Sequence, residues 1–250
     1  MKGTAAIILA AGEGTRLNSG QPSPKPKALY EVAGKPMIHY SLEVVKKLGI
    51  EDTVIVIGHL GEQIKEALGD NYKYALQPQA TGTGEAVRLG LERVNEKSEK
   101  VLVLYGADVY QKSILEVLLA QHLLEKPTIS FLTAETENPT GLGRIVRDDQ
   151  GNLEAIVEEK VATEEQKRIK EVNDGCYLFD RVWLEKSIKN LKLTKANEYF
   201  LTDLVELAVA EEAKIVTHKI DTQGWFGVDT PEQLSLTSEF IEKHWSKDEA

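Results

Sequence analysis

Short runs of apolar, β-branched residues alternate along the chain with longer stretches in which apolar residues recur every three or four positions. The runs predict strands at Ala5–Leu9, Thr53–Ile57, Tyr72–Leu76, Val101–Tyr105 and Thr128–Thr133. Runs apolar on every residue suit a parallel sheet covered on both faces. The intervening stretches predict helices at Met37–Leu48, Gly61–Leu68, Gly84–Val94 and Ser113–Leu124. In the first, Ile38, Leu42, Val45 and Leu48 share one face while Glu43, Lys46 and Lys47 point outward. Strand–helix alternation of this kind builds βαβ units with right-handed crossovers.

The pattern changes after about residue 136. Gly143–Lys160 alternates like a hairpin, with Asp149-Gln150-Gly151-Asn152 as its turn. Val172–Phe179 and Lys214–Ile220 read as strands, and Arg181–Leu191 and Phe200–Glu211 as helices. Pro231 opens a last helix running to about Trp245. The charges between Glu164 and Lys170 read as a solvated helix face. No linker tract and no internal repeat interrupts the chain, so the expectation is one α/β unit over 1–250, with halves at 1–136 and 137–250.

Composition narrows the function. The 250 residues hold 40 acidic against 30 basic side chains, a net charge of −10, which argues against nucleic acid or an anionic membrane as partner. Anionic ligands remain open, since a few cations and backbone N–H groups suffice for them. Cys176 is the only cysteine, so neither an intrachain disulfide nor a cysteine zinc cage can form, which suits a reducing cytoplasm. It lies in an apolar strand and reads as core, and His39 and His59 read as structural. No apolar run reaches the ~20 residues that span a bilayer.

The strongest chemical signal is LAAGEGTRL, Leu9 to Leu17, followed by PSPKPKALYEVAGKPMI. A strand ending in small residues and glycines lets the backbone approach a ligand and aim N–H groups at phosphate oxygens. Arg16 adds a forked cation and Lys27 a point charge; Lys25 competes with Lys27, though the following ALYEVAGKPM register favours the latter. The string lacks the Gly-Lys-Ser/Thr of a P-loop, and Leu17 stands where a dinucleotide fingerprint needs its third glycine. It does fit the sugar-nucleotide pyrophosphorylase pattern L-x-x-G-x-G-T-R-L/M followed by P-K.

Further strings extend that likeness: LQPQATGTGEA (76–86), NPTGLGRI (138–145), IVEEKVATEEQKRIKEVNDG (156–175) and EYFLTDLVELA (198–208). Over nearly its whole length the chain resembles the uridylyltransferase half of the bacterial bifunctional N-acetylglucosamine-1-phosphate uridylyltransferases. The resemblance implies a Rossmann-like, GT-A-like nucleotidyltransferase fold, a mixed, mostly parallel sheet flanked by helices. It implies UTP and N-acetylglucosamine 1-phosphate as substrates, Mg²⁺ as cofactor, and UDP-N-acetylglucosamine and pyrophosphate as products. Carried onto this sequence, Leu9, Ala10, Ala11, Gly12, Gly14, Thr15, Gln77, Gly82 and Thr83 would bind the nucleotide, and Arg16 and Lys27 would act on its phosphates. Gly143, Glu158, Asn173 and Thr202 would hold the sugar, and Asp108 and Asp229 the metal.

Four departures stand out. The family reads Y-G-D-V-P-L where this chain has Tyr105-Gly106-Ala107-Asp108-Val109-Tyr110, Asp229 replaces an asparagine, Phe200 a tyrosine, and the loop Asn18–Pro26 is longer. The same chemistry with another sugar 1-phosphate, such as glucose, or another nucleotide is the alternative, and a non-catalytic sugar-nucleotide sensor the rival of a different class. No hexapeptide repeat is present, so neither the family's left-handed β-helix, its acetyltransfer nor its trimer is expected of this sequence, and the oligomeric state stays open.

Overall fold

A computed structural model describes residues 2–18, 20–21 and 23–245. Its spine is one nine-stranded sheet. The first strand, β1 (Thr4–Ala10), is buried along its whole length. The Glu31–Val32 (β2) and Lys35–Pro36 (β3) hairpin leads into α1 (Met37–Lys47), after which come β4 (Asp52–Ile57), α2 (Gly61–Leu68), β5 (Lys73–Leu76), α3 (Thr83–Leu91) and β6 (Lys100–Tyr105). A short β7 (Asp108–Tyr110) precedes α4 (Lys112–Glu125) and β8 (Ile129–Glu135). The later part carries the hairpin β9 (Gly143–Arg147) and β10 (Leu153–Val157), the long β11 (Glu171–Asp180), α5 (Arg181–Ser187), α6 (Asp203–Ala210), β12 (Ile215–Ile220), β13 (Trp225–Gly227) and α7 (Pro231–His244).

Strands β5, β4, β1 and β6 lie side by side and parallel, as the continuous apolar runs predict. Strand β11 then enters antiparallel, pairing with β6 through Tyr177 and Val103 and with β8 through Tyr177 and Phe131. Only β10 and β11 run against the rest, so the sheet is mixed and mostly parallel. Period-two alternation splits the core in two. Ala6, Ile8 and Ala10 of β1 face Ile38, Leu42, Val45, Ile64, Leu115 and Leu118, whereas Ala5, Ile7 and Leu9 face Ala86, Val87, Leu184, Leu204 and Val205. The first face belongs to α1, α2 and α4, the second to α3, α5 and α6.

Three sequence readings change. The predicted helix at Arg181–Leu191 is helical only to Ser187 and tightens into a 3₁₀ turn over Ile188–Asn190. The charged stretch 164–170 holds no α-helix but a 3₁₀ turn, Gln166–Arg168, its charges paired as Lys167 with Glu164 and Lys170 with Glu137. The predicted turn at 149–152 is held instead from Asp148, whose Oδ1 accepts from the Gln150 and Asn152 N–H groups.

Candidate functional site

Ligands of open α/β sheets sit beyond the carboxyl ends of the parallel strands, and here small residues clear that edge. Leu9, Ala10 and Ala11 finish β1 buried, while Gly12 opens onto free space, where a Cβ would meet nothing within 4 Å. Gly58 after β4 has room for no side chain, since a Cβ would lie 2.8 Å from the Ala11 carbonyl oxygen. Gly14 turns back at φ +65°, where a Cβ would come within 3.0 Å of Lys27 Cβ. The glycine loop therefore lies directly on the lysine segment, and Thr15–Asn18 winds as a 3₁₀ turn that carries Arg16 outward.

Two cations meet one carboxylate at this edge. Lys27 Nζ stands 2.6 Å from Asp229 Oδ1, and Arg16 Nη2 stands 3.0 Å from the same oxygen. Burial pushes the Asp229 carboxyl up, but the two cations outweigh it and hold the group below the usual carboxylate range. Asp229 is presented by the start of α7, where Thr230 and Gln233 form a capping box and Gln233 Oε1 also accepts from the Asp229 N–H. Lys25 is elsewhere, its ammonium over the Tyr30 ring at 4.6 Å. Of the two lysines, Lys27 is thus the one that stands with Arg16 at Asp229.

Asp108 lies beneath. Strand β7 pairs antiparallel with β13, Asp108 opposite Gly227, so the two segments bearing Asp108 and Asp229 run side by side. Ala107 is absorbed in the turn between β6 and β7 and packs with Leu17, Met37 and Val228. The Asp108 carboxyl is buried, and its Oδ2 accepts from Trp225 Nε1 at 3.1 Å and from the Tyr110 hydroxyl at 3.4 Å. Burial lifts it to about 7, against the pull of Lys27 and the Trp225 bond. Among the described residues no three His, Cys, Asp or Glu side chains gather as a metal cage. Two hard carboxylates beside a phosphate site nonetheless suit Mg²⁺, which keeps waters and substrate phosphates for most of its shell. Each carboxylate has one oxygen engaged, Asp229 Oδ1 by Lys27 and Arg16 and Asp108 Oδ2 by Trp225 and Tyr110, and Asp229 is the more exposed of the two.

The nucleotide candidates Gln77, Gly82 and Thr83 sit at a seam. Gln77 is buried, its amide Nε2 donating to the Gly82 carbonyl at 2.9 Å. Gly82, at φ +106°, could carry no Cβ, which would fall 2.4 Å from the Tyr199 carbonyl oxygen. Thr83 Oγ1 accepts from the Leu201 N–H at 3.0 Å and bonds with the Tyr105 hydroxyl. A cavity of about 540 Å³ adjoins this seam, lined by Gln77, Gln79, Gly84, Arg88 and Tyr199, but Arg16, Lys27 and Asp229 do not line it.

The four sugar candidates come together on the other wall. Register sets Gly143 of β9 opposite Asn173 of β11. At Gly143 a Cβ would lie 3.0 Å from Ile156 Cγ2, 3.5 Å from Asn173 Cβ and 3.7 Å from Glu158 Oε1, so the missing side chain lets these segments close up around it. Thr202 begins α6, yet its hydroxyl makes no capping bond and donates to Glu158 Oε1 at 3.0 Å. A helix start that gives up its cap for a carboxylate favours site geometry over local stability. Burial raises the Glu158 carboxyl above its ordinary value, against the Thr202 bond. Arg16 links the walls, since a Cβ on Gly141 would come within 2.7 Å of its Nη1.

Sequence reasoning did not mark Tyr105 or Ser41 as site residues. Ser41 of α1 donates to the Tyr105 and Asp108 carbonyls, fixing the turn that carries Asp108. An isolated serine within an amphipathic helix gives no signal of this in the sequence.

Comparison with known proteins is decisive at family level. The sequence profile of the family described as nucleotidyl transferase matches residues 5–244. The chain belongs to the nucleotidyl transferase family. Within it, the chain is 34% identical to the bifunctional protein GlmU of Thermoanaerobacter pseudethanolicus, covering 97% of this chain and 52% of that protein. It is 40% identical to GlmU of Heliobacterium modesticaldum (92% and 50%) and 39% identical to GlmU of Francisella tularensis subsp. novicida (99% and 53%). This nucleotidyl transferase chain thus spans about half the length of these curated relatives. A solved structure from Bacillus anthracis, named as a glucose-1-phosphate thymidylyltransferase, shares its fold at TM-score 0.77 and 21% identity, covering 98% of both chains. The resemblance read from the motifs and the fold class expected from it are both borne out.

Proposed function

We propose that this nucleotidyl transferase joins UTP to N-acetyl-α-glucosamine 1-phosphate, giving UDP-N-acetylglucosamine and pyrophosphate, with Mg²⁺ as cofactor. The observation that carries the reading is a pair of unlike clusters linked by Arg16 at Gly141: Arg16 and Lys27 on Asp229, and Gly143, Glu158, Asn173 and Thr202 beyond it. The GlmU relatives support the choice of sugar and nucleotide.

An oxygen of the sugar phosphate attacks the α-phosphorus of the triphosphate, a new P–O bond forms, and the bond to the bridging oxygen breaks as pyrophosphate leaves. No covalent enzyme intermediate is needed. The chain's work is positioning and charge neutralisation. Arg16 and Lys27 meet the triphosphate, the glycine loop offers backbone N–H groups, and Gln77 with Gly82 borders the base. Glu158 and Asn173 take the sugar hydroxyls and N-acetyl group beside Gly143. A magnesium ion, held by Asp229 with Asp108 beneath, would neutralise charge between the reacting phosphates.

A second reading, the same chemistry on another sugar 1-phosphate or nucleotide, is favoured by Asp229 and Phe200, which replace the asparagine and tyrosine of the resembled family. Pyrophosphate release, assayed with Mg²⁺ over UTP, dTTP and CTP against N-acetylglucosamine 1-phosphate and glucose 1-phosphate, separates them. Turnover is expected with UTP and the N-acetylated sugar. Turnover with glucose 1-phosphate alone rejects the sugar assignment, and none with any pair leaves a binding protein.

A further inference from the structure

We propose that Arg144, buried behind the sugar wall, is the positioning residue that holds this wall in its binding shape. The proposal rests on the sugar-phosphate reading above. Gly143 faces Asn173 and Glu158, so its neighbour Arg144 points to the opposite face of β9, where its side chain is only 1% exposed. There the guanidinium meets its own segment and two others. Nη1 donates to the Leu142 carbonyl, Nη2 to Glu159 Oε2 at 2.5 Å, and Nη2 also to the Lys167 carbonyl at 3.4 Å.

Each partner is next to, or leads into, a candidate sugar contact. Leu142 precedes Gly143, Glu159 follows Glu158, and Lys167 belongs to the 3₁₀ turn from which the chain runs into β11 and Asn173. Backbone pairing adds a further constraint, because Arg144 stands opposite Val157 of β10 and Val172 of β11. One planar fork therefore fixes the spacing of segments that lie far apart in sequence. A lysine, with a single point charge, could satisfy Glu159 but not all three acceptors in one plane.

Energetics favour geometry over stability as the reason for this choice. Burying a guanidinium is costly, and an apolar replacement of similar volume is often neutral for folding. What such a replacement loses is the alignment of Gly143, Glu158 and Asn173, and a displacement near 1 Å at a binding wall can cost on the order of 10²-fold.

The test uses the whole chain with Arg144→Met, Arg144→Lys and Glu159→Gln. Steady-state kinetics give KM separately for UTP and for N-acetylglucosamine 1-phosphate, and hydrogen–deuterium exchange follows residues 158–169. Arg144→Met should raise KM for the sugar phosphate by about tenfold or more, with kcat and KM for UTP within about twofold. Arg144→Lys should recover part of the loss, Glu159→Gln should lose less, and exchange should quicken within 158–169 alone. Equal changes in both KM values, or unchanged kinetics, overturn the proposal. If Arg144→Met does not fold, the Arg144→Lys and Glu159→Gln pair decides by the same split. If the wild type turns over no sugar phosphate, the functional reading falls. Exchange then still decides whether Arg144 holds the segment, unchanged protection overturning it.

Discussion

The two walls of the candidate site are made in different ways. On the wall from residues 4–136, parallel strands end together, and the site is built from backbone: a glycine loop beyond β1, small residues at Ala11 and Gly58, and two cations set against them. On the wall from 137–245, antiparallel strands place side chains opposite one another, and a buried guanidinium braces them. In the proposed reaction the first wall would meet phosphate, which any suitably aimed N–H group or cation can do. The second would have to recognise stereochemistry, which requires particular side chains at particular distances. Damage to the first should therefore strike the rate, and damage to the second the affinity for one substrate.

The largest effect is expected at Arg16, the side chain that touches both walls. Arg16→Ala removes a forked cation from the triphosphate and the packing against Gly141. By analogy with other charge clamps in phosphoryl transfer, kcat should fall on the order of 10³-fold. Single-turnover measurement of pyrophosphate release checks this, and a variant within about threefold of wild type would remove Arg16 from the chemistry.

A smaller effect of opposite sign is expected at Asp229. Its Oδ1 pairs with Lys27 and Arg16, at 2.6 and 3.0 Å, the two cations proposed to meet the triphosphate. Asp229→Asn keeps shape and hydrogen bonding but releases both cations. Binding of UTP in EDTA should then tighten by about tenfold, equivalent to ~1.4 kcal/mol, while stimulation of turnover by Mg²⁺ weakens. Calorimetry on the two proteins reads this directly. Unchanged or weaker binding in EDTA would mean that Asp229 does not compete with the triphosphate.

The walls also differed in how far they could be read from sequence. Strands β1, β4 and β6 and helix α1 follow from local apolar patterns, and the glycine loop announces itself within nine residues. The pairing of β7 with β13 does not, because each has three residues and they lie 117 positions apart at Asp108 and Trp225. Nor does the meeting of Lys27 with Asp229, separated by 202 positions. On the second wall the motifs name Glu158, Asn173 and Thr202, but no pattern reveals that the Thr202 hydroxyl leaves its helix for Glu158. Arg144 reads as an ordinary charged residue in a hairpin, because only the register of β9 turns it inward. Local chemistry is legible from local sequence, whereas contacts between distant segments await the fold.

Acidity offers the gentlest way to separate the walls. The Glu158 carboxyl on the second wall is raised by burial, with Asp203 adding to the rise and the Thr202 bond opposing it. As pH falls, Glu158 takes up its proton earlier than an exposed glutamate does, and a protonated group is a poorer acceptor for sugar hydroxyls. KM for N-acetylglucosamine 1-phosphate should therefore rise a few-fold, by about two- to fivefold, between neutral pH and about pH 5. Substrate phosphates titrate in the same range, near pH 6, so the informative quantity is the difference between wild type and Glu158→Gln, whose amide does not titrate. That difference should shrink toward low pH for the sugar phosphate and stay flat for UTP. Stability moves the other way. A carboxyl whose folded pKa lies above its unfolded value favours folding most at low pH and loses that contribution as pH rises through the folded value. Glu158→Gln should thus melt at or above the wild-type temperature at neutral pH while binding the sugar phosphate more weakly. A variant that loses both together would make Glu158 a structural residue, and the second wall would then recognise its substrate by shape alone.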